Sequence, residues 1–268
     1  ACLTLFLHWC FLKHKLFLVV SAVEQYTLRQ YMNKNPDGKL RDIVTDMLYD
    51  DIVSLRIAPG TKLNVNQLAS SLGISRTPVA EAITRLTEIG FVVTHPGQNG
   101  SFVLDLNLLD MINLYQVRSA IEGQAAALCA HAADEAVVRQ LTMLADAFKD
   151  SVQRRDIRGM KDTDMPFHQL IIQSCGNPYI MQSYDLILPK LTMYQASMLE
   201  FIGHDGNEEN PWMPSVTFNH TSVASAIRMR MPELARQSME DHVTTSLNFT
   251  TMAGRTPDPF VKLNHFEK

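Results

Sequence analysis

PGTKLNVNQLASSLGISRTPVAEAITRLTEIGFV, running from Pro59 to Val92, is the stretch that decides the fold of the N-terminal part. Leu68 and Ala69 lead a short helix, and Gly73 sits at its end, where a left-handed residue is wanted. Ser75 is a suitable N-cap for the next helix. Pro78 falls in that helix's first turn, where its missing N–H does no harm. Val79, Ile83 and Leu86 form the inner face, and Gly90 ends the helix. Upstream, Ile43, Met47, Leu48 and Ile52 recur at helical spacing from Leu40 until the turn at Ala58, Pro59 and Gly60. Downstream, Phe91–Val93 and Ser101–Val103 read as two short strands joined by a Pro- and Gly-containing turn. Two short helices with a tight turn, followed by a β-hairpin, describe a winged helix-turn-helix. The spacing alone describes a generic three-helix bundle with a hairpin equally well.

The 268 residues are enough for one large domain or two modest ones. A hydrophobic share of 46% and a charged share of 19% exclude a disordered chain, a collagen and a long coiled coil. Net charge is -4, so any contact with nucleic acid must come from a local patch. Cys2, Cys10, Cys129 and Cys175 have no C-x-x-C spacing, which argues against a zinc ribbon or redox motif and for reduced thiols in a cytoplasmic protein.

Residues 1–31 begin with a strongly apolar run, split by Lys13, His14 and Lys15 into pieces shorter than a bilayer span of about 20 residues. The charge falls inside the run rather than before it, unlike a signal peptide. This extension is expected to lie outside the working fold, with membrane anchoring as the alternative. The working fold is then expected to comprise a winged helix-turn-helix domain over 32–104 and a helical domain over 105–253, followed by a tail over 254–268.

After Asn107 the pattern is wholly helical, with helices expected at about 108–131, 134–153, 156–175, 178–203, 213–230 and 232–252. The fold class is therefore mainly α: a winged helix-turn-helix followed by an antiparallel all-helical bundle. Asp164 and His168 are four residues apart, on one face with Phe167, Ile171 and Ile172, so the pair points inward. His220 shares a face with Val223, Ala224 and Ile227, and His242 follows Ala235 and Met239 on the last helix. One carboxylate and three imidazoles on three inward faces can close around one divalent ion: Zn²⁺, Ni²⁺, Mn²⁺ or Fe²⁺. In an octahedron, two positions would remain for ligand or water. Taken singly, each histidine reads better as a satisfied core or surface residue than as a ligand.

The segment from about Leu40 to Val103, above all Ser75-Arg76-Thr77-Pro78-Val79, closely resembles the DNA-binding domain of the GntR family of bacterial transcription regulators. The D-x-x-F-H stretch, followed by histidines on two later helices, resembles the FCD-type effector domain of the FadR subfamily from about Leu108 to Phe249. The resemblance implies that Ser75, Arg76, Thr77 and Pro78 open a recognition helix that also carries Arg85. It implies too that a wing with His95 and Gly100 reaches the backbone or minor groove. Arg76 has a guanidinium that can fork onto guanine or grip a phosphate. Ala80 and Asn66 stand where the family carries arginines. Residues 38–104 hold six basic side chains (Lys39, Arg41, Arg56, Lys62, Arg76, Arg85) against six acidic ones (Asp42, Asp46, Asp50, Asp51, Glu81, Glu88). Modest affinity per domain is therefore expected, with dimerisation adding to it.

The same resemblance implies that Asp164, His168, His220 and His242 are the metal ligands. Arg118 and Glu122 match the family's R-x-x-x-E signature; Arg118 is either a clamp for an effector carboxylate or half of a structural ion pair. Tyr194, Trp212 and Asn219 are further effector-pocket candidates, and Asn219 replaces a glutamate common in the family. The implied function is a homodimeric regulator, a repressor of a palindromic operator, controlled by a small carboxylate or sugar-acid effector at the metal. Not an enzyme is the primary expectation. A metal-dependent enzyme, or a structural metal in a dimerisation module without effector, are the alternatives.

Overall fold

Asn64, Asn107, Asp134 and Asp156 each stand one residue ahead of a helix in the computed structural model, and their side chains accept hydrogen bonds from its first N–H groups. They start α2 (Val65–Leu72), α4 (Leu108–Ala132), α5 (Glu135–Gln153) and α6 (Ile157–Ser174). The remaining helices are α1 (Leu40–Val53), α3 (Arg76–Glu88), α7 (Pro178–His204), α8 (Met213–Arg228) and α9 (Pro232–Ala253). The structure describes residues 28–204 and 213–253, and for 198–204, 213–219 and 249–253 it describes the helical backbone alone. The chain divides into two units, Ala1–Asp105 and Leu106–Lys268.

In the N-terminal unit, α1 buries Ile43, Val44, Met47, Leu48 and Ile52, and α3 buries Val79, Ala82, Ile83 and Leu86. These two stripes pack together. Tyr49 of α1 meets Phe91 edge to face at 5.0 Å. Gly73 adopts φ 69° and ends α2 in the left-handed form its position demands. The wing is a three-stranded antiparallel sheet in the order β1-β3-β2, with β1 at Lys62–Leu63, β2 at Val92–Val93 and β3 at Ser101–Val103. The two-strand hairpin expected from sequence thus gains a third strand. A two-residue strand has no alternation to detect, and β1 is defined only by pairing Lys62 with Phe102 and Leu63 with Ser101.

Two local expectations need correction. Ser75 occupies the N-cap position of α3 with extended backbone but makes no capping hydrogen bond. Residues 28–34 are helical, Leu28 is buried, and the Tyr31 hydroxyl donates to Asp50 of α1. The extension expected to lie outside the fold over 1–31 is therefore too long at its C-terminal end, because burial and a side-chain bond tie residues 28–31 to the first unit.

The C-terminal unit is an antiparallel bundle arranged around α4, which packs against α6, α7, α8 and α9, while α5 packs on α6 and α8. Gly123 is buried on α4, and a Cβ there would stand 2.8 Å from the Glu240 side chain of α9, which would have to shift. A smaller apolar cluster of Phe148, Val152 and Met160 ties α5 to α6. No helix among the described residues is long and apolar enough to cross a membrane.

Candidate metal centre and DNA-reading helix

Asp164 and His168 lie one turn apart on α6, so their side chains leave the same face. Pro166 sits between them inside the helix and removes one backbone hydrogen bond from that turn. His220 comes from α8 and His242 from α9. All three imidazoles are buried, and the Asp164 side chain is only 13% exposed. One ligand atom from each of the four lies within 4.8 Å of the others.

The individual spacings test whether a divalent ion fits. His168 Nε2 and His242 Nε2 are 3.1 Å apart, and Asp164 Oδ1 is 2.9 Å from His220 Nε2 and 3.9 Å from His168 Nε2. Two nitrogens bound side by side to one zinc would stand about 3.0–3.4 Å apart. The donor set of three imidazoles and one carboxylate also suits a borderline divalent cation. The residues therefore fit the group. Phe148 lies over the His220 ring at 4.1 Å, and Phe167 turns its edge to His220 and His168 at 4.9 and 5.7 Å. These rings exclude water from one side of the cluster and strengthen every charge interaction inside it.

The electrostatics favour the ligand forms. Burial would raise the Asp164 carboxyl, but the His220 contact and the charges of His168, His220 and Arg118 outweigh it and bring the pKa down to about 2. Burial, joined by repulsion from His220, His168 and Arg118, pushes His242 well below the ordinary histidine range, so its imidazole is neutral. A neutral ring is the form that coordinates.

Behind His168 stands a charged pair. Glu122 Oε2 lies 2.5 Å from His168 Nδ1, and Arg118 Nε donates to Glu122 Oε1 at 2.7 Å. Arg118 also lies over the Tyr115 ring, 5.2 Å from its centre. Burial would raise the Glu122 carboxyl; Arg118 and His168 together hold it down at about 2. The ion-pair alternative for Arg118 is thus present in the fold. The sequence pattern marks Glu122 only as the i+4 partner of Arg118 and gives no signal for Tyr184. Tyr184 has a buried hydroxyl without a well-formed hydrogen bond and lies close enough to Glu122 and Arg118 for their charges to act on it.

The Tyr194 hydroxyl donates to the Asn107 carbonyl at 2.8 Å, lies 3.0 Å from Asp110 Oδ2, and accepts from the Asn107 N–H at 3.1 Å. These bonds tie Tyr194 of α7 to the first turn of α4. Trp212 and the Asn219 side chain lie outside the described residues.

On the N-terminal unit, Ser75, Arg76, Thr77, Ala80 and Arg85 are exposed along α3, while Pro78 is half-buried. The Ser75 side chain does not cap the first N–H groups of α3, and a helix N-terminus in that state attracts anions. Arg76 makes only a long 3.5 Å contact to Asn66, and Arg85 stands 3.8 Å from Asp42. Arg41 of α1 lines the same surface groove as Arg76, Thr77, Ala80 and Arg85 and adds a cation the sequence pattern did not single out for DNA. On the wing, His95 is exposed with its ring 5.1 Å from that of Phe102, and Gly100 takes φ 125°, where a side chain would also strike Lys62.

Comparison with known proteins follows the same division. The family described as "Bacterial regulatory proteins, gntR family" matches residues 40–103, and the FCD domain matches residues 113–245. The HTH-type transcriptional repressor RspR of Escherichia coli is 31% identical over 209 residues, covering 78% of this chain and 88% of that protein. The gluconate operon transcriptional repressor of Bacillus licheniformis is 23% identical, covering 77% and 81%. The probable D-xylose utilization operon transcriptional repressor of Paenarthrobacter nicotinovorans is 24% identical, covering 82% and 92%. Among solved structures, E. coli McbR/YncC superposes with a TM-score of 0.62 at 17% identity, covering 81% of this chain and 99% of that one, a likeness of fold.

Proposed function

Since the chain belongs to the gntR family of bacterial transcription regulators and carries an FCD domain behind its helix-turn-helix, we propose that it is a repressor whose operator affinity is set by a small acid bound at a divalent ion in the helical unit. The family consists of DNA-binding regulators rather than enzymes, and several relatives are named as repressors. The observation that carries the finer reading is the convergence of Asp164, His168, His220 and His242 within 4.8 Å. A divalent ion held by these residues would supply open positions for an oxyanion. A relative named for a gluconate operon supports a sugar acid as effector.

The chain's own residues divide the work. Arg76, Thr77, Arg85 and the uncapped start of α3 meet operator DNA, with His95 and Gly100 on the wing. The buried Arg118 provides a fixed positive charge beside the ligand cluster and orients an incoming carboxylate by attraction. Phe148 and Phe167 keep one side of that site dry. An acid that prefers one packing of the bundle shifts DNA affinity reciprocally, typically by about 1–3 kcal/mol.

The working form is a homodimer reading a palindrome. The outward face of α4 supports it: Leu109, Asn113, Gln116, Val117, Ala120 and Gln124 are all exposed, and none is charged. Depletion of charge over four helical turns is what an interface core requires.

The test begins by selecting tight-binding duplexes from a random pool. Anisotropy of the selected duplex is then followed while small hydroxy and sugar acids are added to zinc-loaded protein. An acid that releases the wild-type protein, yet leaves Asp164→Ala bound, is the expected result. An Asp164→Ala variant that responds like wild type would refute the sensing site.

A further inference from the structure

We propose that Glu122, which is not itself a ligand, is the positioning residue that makes His168 one. The inference rests on the metal reading above. Glu122 is buried on α4 and divides its two oxygens between two partners, Oε1 accepting from Arg118 Nε at 2.7 Å and Oε2 standing 2.5 Å from His168 Nδ1. A carboxylate only accepts hydrogen bonds, and a neutral imidazole carries one proton and one lone pair. In the neutral ring, the form that can coordinate, the proton of His168 therefore sits on Nδ1 and the lone pair on Nε2. That nitrogen faces His242 Nε2 at 3.1 Å and Asp164 Oδ1 at 3.9 Å, inside the ligand cluster.

The arrangement needs two acceptor oxygens. Glutamine has one acceptor and one donor. With its oxygen kept by Arg118, its amide N–H would face His168 Nδ1 and force the proton onto Nε2, pointing at the ion. With its oxygen turned to His168, its N–H groups would face Arg118, and two donors would oppose each other. Neither orientation reproduces the native pair. His242 has no equivalent support, because its buried Nδ1 has no hydrogen-bond partner among the described residues. His168 is thus the ring that Glu122 presets. The same bond couples the cluster on α6, α8 and α9 to α4, which contributes no ligand of its own.

The first measurement uses the metal-free wild-type protein, with long-range proton–nitrogen NMR correlations of the histidine rings. The Nδ1–H tautomer at His168 is expected, and the Nε2–H tautomer would overturn the proposal. The second is Co²⁺ titration followed by visible absorption. Glu122→Gln should weaken Co²⁺ binding about 10–100-fold and alter the absorption envelope, as loss of such a partner does elsewhere. In a His168→Ala background the same change should have no further effect on Co²⁺ affinity. Equal affinity and an unchanged spectrum in Glu122→Gln, or a full additional loss in the His168→Ala background, would overturn it. Wild-type protein that takes up no Co²⁺ would overturn the metal reading and this proposal together, whereas a variant as competent as a competent wild type would overturn this proposal alone. Should Glu122→Gln fail to fold, the wild-type tautomer still decides.

Discussion

Metal binding should reveal itself as a stability increment confined to one of the two units. The four proposed ligands come from α6, α8 and α9, and 74 residues of chain separate His168 from His242. The unfolded chain cannot hold these groups around one ion, so the ion binds the folded state and its binding energy appears as folding energy. With free Zn²⁺ at one hundred times its Kd, linkage adds about 2.7 kcal/mol, and a unit of this size shifts roughly 2–4 °C per kcal/mol, so a rise of about 5–11 °C is expected. Differential scanning calorimetry on chelated and zinc-loaded protein measures it. Two transitions are expected from two units, and only that of residues 106–268 should move. Asp164→Asn keeps the side-chain size but removes the anionic donor, and should cancel most of the rise. The argument fails if zinc moves the other transition instead, moves neither, or raises Asp164→Asn as much as wild type.

Three further outcomes follow from named residues. Arg76→Ala should weaken operator binding by about 1–3 kcal/mol, read by anisotropy, with little change in melting temperature because Arg76 is exposed and makes only a long contact. Val117→Glu places a charge in the neutral face of α4; analytical ultracentrifugation should show the dimer dissociating to monomer, and an unchanged dimer would move the interface elsewhere. Burial, with Cys175 nearby and only partly opposed by Arg230, pushes the Cys129 thiol up to about 12. Almost no thiolate then exists at pH 8, so Cys129 should resist a disulfide reagent in the native protein and react once denaturant is added.

Local signals in the chain account for much of the architecture. Each helix of the C-terminal unit begins and ends within about two residues of where periodicity and breakers predict it, because caps such as Asn107, Asp134 and Asp156 act on their own first turns. The candidate ligand cluster is legible for a related reason. Asp164 and His168 share one face by helical geometry, and the apolar neighbours of His220 and His242 point them inward. What depends on two distant segments meeting is not written in any local pattern. The bond between Glu122 and His168 joins residues 46 apart in the chain, and the Tyr194 hydroxyl ties back to Asn107 across 87 residues. A spacing rule sees that a tyrosine is on a buried helix, but only the packing of α7 on α4 brings its hydroxyl to the start of α4. The strand β1 likewise exists only through its partner β3. By itself, then, the sequence specified which faces turn inward, through backbone periodicity and capping, whereas tertiary structure chose which buried polar groups satisfy one another, since that depends on distances between elements that no single element encodes.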